Sequence, residues 1–138
     1  MAEEDAHTTR TDQLRFQDPV TRYPSITPPE QHQPEPGHES ELEPRADIGE
    51  FSYRGTGRLQ GRKALVTGGD SGIGAAVAIA FAREGADVAI SHLPEEKTDA
   101  ENVARIISES GRKAVTLSGD LTDARFCRSV VDDAAEHL

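Results

Sequence analysis

A single cysteine, a single methionine, no tryptophan, four phenylalanines and two tyrosines leave this 138-residue chain short of bulky and redox-active side chains. The lone Cys127 excludes an internal disulfide framework and any multi-cysteine metal centre. No apolar stretch approaches the ~20 residues that a membrane span needs. Positive charge is also scarce: 15 Lys and Arg stand against 25 Asp and Glu, a net charge of −10. That balance argues against a nucleic-acid partner or an anionic membrane surface. The opening Met1-Ala2-Glu3-Glu4-Asp5 is the opposite of a basic signal-peptide n-region, so a cytoplasmic location is expected.

What is present is unevenly spread. Seven of the eight prolines precede Arg45, and residues 1–57 carry 12 acidic against 5 basic residues. Large apolar residues are few there and follow no sustained period, which makes a self-supporting core a poor expectation. Residues 1–57 therefore read as an extended, proline-rich acidic arm. It is either a solvated tail or a strap that packs on a neighbouring subunit through Phe16, Tyr23, Ile26, Phe51 and Tyr53. Gln31-His32-Gln33-Pro34-Glu35-Pro36-Gly37 favours polyproline II or turns over helix.

From Arg58 onward the pattern alternates strand and helix. Lys63–Thr67 is a short apolar strand, followed by a helix over Gly72–Glu84 with Ile73, Ala76, Val77, Ala80 and Phe81 as its expected inner face. Gly85 fits its stop. Asp87–Ser91 is a second strand, a helix from about Glu95 to Ser110 turns Val103, Ile106 and Ile107 inward, and Lys113–Leu117 is a third strand. Thr122 or Asp123 is placed to cap a last helix with Cys127, Val130, Val131, Ala134, Ala135 and Leu138 along one stripe. Cys127, with no basic neighbour on that stripe, reads as a buried structural thiol. The order βαβαβα predicts an α/β fold, a parallel sheet ordered 3-2-1 with right-handed crossovers.

The chemistry-bearing segment is Ala64-Leu65-Val66-Thr67-Gly68-Gly69-Asp70-Ser71-Gly72-Ile73-Gly74. A strand runs into a glycine-rich turn that opens directly into a helix. Such a turn brings bare backbone close to a pyrophosphate, and the helix start offers unpaired N–H groups and the positive end of its dipole. Gly68 suits the sharp exit from the strand, Gly72 the close approach of backbone to diphosphate, and Gly74 the close packing of helix on sheet. A P-loop needs Lys and then Ser or Thr after its last glycine, whereas Ala75-Ala76 follows here, so that motif is excluded. Gly69-Asp70-Ser71-Gly72 also imitates a serine-protease nucleophile segment. The histidines that would supply its base sit in the arm, after the second strand and at the terminus, and no disulfide-braced β-barrel is foreshadowed.

Thr67-Gly68-Gly69-Asp70-Ser71-Gly72-Ile73-Gly74 resembles the T-G-x-x-x-G-I-G signature of the short-chain dehydrogenase/reductase family. The likeness extends through Gly57–Val66 and Phe81–Ile90 and covers roughly residues 50–138. The Gly-Gly-Asp-Ser version, with its long arm, is similar to a bacterial subgroup of these oxidoreductases. The resemblance implies the first half of a Rossmann domain over residues 58–138, homo-oligomeric intact relatives, and a nicotinamide dinucleotide as ligand. Gly68, Gly72, Ile73 and Gly74 would hold the pyrophosphate, with Asp70 and Ser71 on the adenosine side. Asp120 would accept a hydrogen bond from the adenine amino group, and Leu121 would touch the ring. The position that normally separates NAD from NADP falls at His92, 18 residues after Gly74, where neither the diagnostic acid nor arginine stands. His92 suits a ribose hydroxyl or a phosphate, and the choice between NAD and NADP stays open.

The family's catalytic Ser and Tyr-x-x-x-Lys have no match. Thr27 stands four residues after Tyr23, and Gly57 four after Tyr53. The expectation is therefore the cofactor-binding half of an NAD(P)-dependent oxidoreductase, inactive alone, with no catalytic and no metal-ligating residues of its own. It would be a truncated product or fragment, with Leu65 and Val66 on an unpaired sheet edge and a marginally stable monomer as the result. A non-catalytic nucleotide-binding or interaction module is the alternative.

Overall fold

The computed structural model describes Phe16 and residues 18–21, 25–35 and 37–138. Tyr23 lies outside those residues. Six elements follow one another: β1 (Lys63–Thr67), α1 (Gly72–Arg83), β2 (Asp87–His92), α2 (Lys97–Glu109), β3 (Ala114–Ser118) and α3 (Ala124–His137). All three strands are parallel, with β2 between β1 and β3, the partial Rossmann order expected. Registers run from Lys63 opposite Asp87 to Thr67 opposite Ser91, and from Val88 opposite Ala114 to His92 opposite Ser118.

Position in the sheet sets burial. A central parallel strand is covered on both faces, and Val88, Ala89, Ile90, Ser91 and His92 are all buried. β1 pairs only with β2 among the described residues, and its Ala64, Leu65 and Val66 are half-buried. Helix ends are set by local chemistry. At the end of α1 the Gly85 amide donates to the Ala82 carbonyl at 2.9 Å and the Ala86 amide to the Phe81 carbonyl at 3.0 Å. This paired arrangement terminates a helix on a glycine. Asp123 caps α3, its carboxylate accepting from the Arg125 amide at 2.8 Å. A single 3-10 turn, Pro94–Glu96, precedes α2, so the α-helix itself starts two residues later than the sequence suggested.

Two helical faces differ from expectation. On α1 the buried set is Ala75, Ala78, Ile79 and Ala82, while Ile73 is 86% exposed and Ala76 and Phe81 are only partly covered. The sequence Gly-Ile-Gly-Ala-Ala-Val-Ala-Ile-Ala-Phe-Ala-Arg is apolar nearly all round, so periodicity carries no information about which stripe turns inward. α2, polar on one side, buries Val103, Ile106 and Ile107 as its spacing required. On α3 only Val130 and Ala134 are buried, and Cys127, Val131 and Ala135 are exposed. The Cys127 thiol is a surface group that donates to the Leu121 carbonyl at 2.8 Å, which overturns the buried-thiol reading.

Among its described residues the arm has no helix or strand before β1 beyond a 3-10 turn at Glu39–Glu41, yet much of it is tied to its own chain. Ile48 is buried in the core cluster with α1 and α2. Gln31 and Gln33 act as substitute backbone partners. Gln31 gives its amide to the Glu43 carbonyl at 2.7 Å and accepts from the Glu43 amide at 3.0 Å. Gln33 pairs in the same way with the amide and carbonyl of His38.

The firmest tie is Glu84, buried in the turn after α1. Its carboxylate accepts from the Tyr53 hydroxyl at 2.5 Å, the Thr56 amide at 2.9 Å, the Arg58 amide at 3.0 Å and the Arg58 guanidinium at 2.6 Å. The Arg58 guanidinium and then the Tyr53 hydroxyl hold this carboxyl far below the usual carboxylate range. The same bond from Glu84 pushes the Tyr53 phenol above its ordinary value. Arg83 adds bonds to the carbonyls of Tyr53 and Glu50. Tyr53 is thus committed within the chain, whereas Phe16, Ile26 and Phe51 are exposed.

Candidate functional site

The carboxyl ends of the three strands converge. The Gly69 amide donates to the Ser91 carbonyl at 3.2 Å, fastening the glycine turn to the end of β2. The Gly119 amide donates to the His92 carbonyl at 2.9 Å, fastening the exit of β3 to the same place. Gly68–Gly74, His92 and Asp120-Leu121 therefore share one edge of the sheet, the edge at which open α/β sheets bind ligands.

The turn itself is shaped for close approach. Gly68 and Gly72 both take positive φ, 59° and 52°, which side chains of L-residues rarely adopt. A Cβ added at either would meet nothing within 4 Å, so the face from which a side chain would project is open at both positions. Gly74 is the reverse: a Cβ there would lie 1.8 Å from the Gly68 carbonyl oxygen. Its partner is the strand-exit loop rather than the sheet, and the missing side chain lets the first turn of α1 sit directly on that loop. The open main chain at Gly68 and Gly72, followed by the free amides of α1, fits a diphosphate. Ser71 occupies the N-cap position but its side chain makes no capping bond, and Ile73 projects into solvent beside the turn.

Asp70 is only 3% exposed and lines a cavity of about 90 Å³ closed by arm residues. His92 is not a loop residue: it ends β2, is buried, and its Nδ1 lies 2.7 Å from the Leu93 carbonyl. That contact makes Nδ1 the donor and fixes the ring. Asp120 is exposed, and its carboxylate accepts from the Thr122 amide at 2.8 Å. The Thr122 bonds, backbone first, hold its carboxyl below the usual carboxylate value. A turn role is thus established for Asp120. Leu121 follows on the surface. The sequence reading missed one further group, the arm residue Glu39, whose carboxylate accepts from the Gly72 amide at 2.8 Å. Nothing local could signal a contact spanning 33 residues.

A parallel β-α-β sheet with a bare glycine turn at its carboxyl edge defines a Rossmann-type nucleotide-binding fold. The short chain dehydrogenase pattern matches residues 62–138, and the chain belongs to that family of oxidoreductases. It is 58% identical over 123 residues to the uncharacterized oxidoreductase YghA of Escherichia coli, covering 89% of this chain and 42% of that one. It is also 58% identical over 110 residues to the uncharacterized oxidoreductase YhxD of Bacillus subtilis, covering 80% of this chain and 37% of that one. Among solved structures, a short chain dehydrogenase from Burkholderia cenocepacia in complex with NADP superposes with a TM-score of 0.55 at 46% identity. It covers 57% of this chain and 32% of that protein. The chain spans about two fifths of the length of the curated relatives it matches. Among the described residues no helix is long and apolar enough to cross a membrane.

Proposed function

We propose that the carboxyl edge of this sheet binds the adenosine diphosphate part of a nicotinamide dinucleotide, NAD or NADP, in the cytoplasm. The observation that carries the reading is the positive-φ main chain at Gly68 and Gly72, where a side chain would project into open space beside the start of α1. Gly68, Gly72, Ile73 and Gly74 supply amides to the diphosphate, with Gly74 seating the helix close enough for them to converge. Asp70 and Ser71 border the adenosine side, His92 the ribose, and Asp120 with Leu121 the adenine. The NADP-bound relative from Burkholderia cenocepacia supports the dinucleotide class. A bound nicotinamide dinucleotide would give hydride to a carbonyl in its reduced form or take hydride from an alcohol in its oxidised form.

In this reading residues 1–57 are an arm and residues 58–138 the cofactor-binding half of the domain. Hydride transfer needs a proton donor, in this family a tyrosine with a lysine four residues on, and neither Tyr23 nor Tyr53 has that neighbour. Binding without turnover is therefore the activity proposed for these 138 residues, and self-association of the intact protein is part of the same proposal. Titration with NADP and with NAD, followed by thermal melting, tests the binding. A dose-dependent rise in melting temperature with at least one dinucleotide is expected, and no response to either refutes it. Turnover of any carbonyl compound by the chain refutes the non-catalytic part.

A further inference from the structure

The amide of Gly72 is one of the donors at the start of α1 that the helix itself leaves unpaired, and in this structure it is taken by the chain's own arm. The Glu39 carboxylate reaches it with Oε2 at 2.8 Å, while Oε1 of the same carboxylate is buried without a partner. The Glu39 main chain is held in turn by Asp99 in the first turn of α2, whose Oδ2 accepts the Glu39 amide at 3.1 Å. His38 lies 3.8 Å from the same carboxylate oxygen. Closing the arm over the turn gathers Glu39, Asp70 and Asp99 around the 90 Å³ cavity, with Arg45 and Arg105 also on its wall. Asp70 makes no hydrogen bond or ion pair there among the described residues although it is almost fully buried.

These contacts have a sign. An anion at a helix N-terminus is favourable, which is why Glu39 settles there. The closed arrangement also leaves one oxygen of the Glu39 carboxylate buried and unpaired, a cost that opening relieves. A dinucleotide diphosphate needs the same amide and carries the same charge. We infer that Glu39 is a built-in competitor for the diphosphate, so that the arm segment 38–47 is a strap that must lift from the glycine turn before a dinucleotide binds. The inference rests on the proposed binding function. Linkage makes the effect reciprocal: dinucleotide opens the strap, and weakening the strap tightens the dinucleotide. The Tyr53–Glu84–Arg58 tie lies beyond the moving segment and keeps the strap's far end in place.

The test uses the whole 138-residue chain, its Glu39→Gln and Glu39→Ala variants, and Glu41→Gln as an exposed control on the same 3-10 turn. NADPH and NADH fluorescence give affinity, and hydrogen–deuterium exchange over residues 38–47 reports opening. Both Glu39 variants are expected to bind about five- to tenfold tighter than the parent, with Glu41→Gln unchanged. Exchange in the strap is expected to rise when NADP is added to the parent chain. Equal affinity in all four proteins, or an unchanged exchange profile in a chain that binds, overturns the strap and leaves the binding function standing. Weaker binding by Glu39→Ala also overturns it, making Glu39 a group that assists the ligand. Binding of neither NADPH nor NADH by any of the four overturns the strap and the binding function together.

Discussion

Replacing Gly74 by alanine is the sharpest probe of the turn. The added methyl would sit 1.8 Å from the Gly68 carbonyl oxygen and 2.7 Å from its carbon, where real contacts essentially never fall below 3.0 Å. Both partners are main chain, so no side chain can swing aside, and helix and loop must part by more than about 1 Å. Overpacking of this kind costs about 1–3 kcal/mol. For a body of this size that is a fall in melting temperature of roughly 5–20 °C. The same movement pulls the free amides of α1 away from the turn, and a displacement near 1 Å is enough to lose about tenfold or more in dinucleotide affinity.

Gly72→Ala provides the contrast. Its methyl meets nothing, and the left-handed backbone alone costs about 1–2 kcal/mol. The methyl nevertheless stands where the main chain faces the ligand, so affinity should fall at least about tenfold in a chain that still folds. Circular dichroism melting and NADPH fluorescence titration measure the two effects. A Gly74→Ala chain that melts within ~1 °C of the parent refutes the close approach of helix and loop. A Gly72→Ala chain that binds like the parent refutes the glycine turn as a diphosphate cradle.

Other expected outcomes follow from features away from the turn. Ile79→Ala, in the middle of the buried face of α1, should cost about 2–5 kcal/mol, whereas Ile73→Ala should stay within about 0.5 kcal/mol; chemical denaturation reads both, and a reversed ranking would restore the original assignment of that face. The Glu84 carboxyl titrates in the folded chain far below its ordinary 4.5, so its contribution is complete above that pH and is lost as pH falls below it. Tyr53 is raised above 10.0, so its share is present below pH 10 and goes as pH climbs past that value. Melting temperature against pH should therefore drop on both flanks, and Glu84→Gln should lower the plateau and flatten the acid flank. Cys127 should react fully with a thiol reagent in the native chain, and Cys127→Ser should change stability by no more than about 0.5 kcal/mol.

The alternation of strands and helices was legible because glycines punctuate it and β-branched runs mark the strands, and strand ends fell within a residue of the observed ones. The glycine turn was legible because its chemistry is local: strand, bare backbone and helix start lie within eleven consecutive residues. The inner face of α1 was not, since an alanine-rich helix offers apolar atoms in every direction and its rotation depends on tertiary contacts such as the seating of Gly74 on Gly68. The exposure of Cys127 was missed for a related reason. A stripe at helical spacing says which side chains share a face, but not how much of that face the neighbouring strand covers. Glu39 and Glu84 lie further still from sequence reasoning. Each is one acid among 25, distinguished only by amides brought to it from residues 26 to 33 positions away.

Glu84 belongs at once to the closing turn of α1 and to the knot that gathers Tyr53, Thr56 and Arg58. Peeling that stretch away would strip a charged group of every donor it has, at the point where the helix must stop and the chain must turn back into β2. The front of the protein and the end of its first helix should therefore unravel as one event, and amide exchange would find residues 53–58 and 80–86 opening at a common rate.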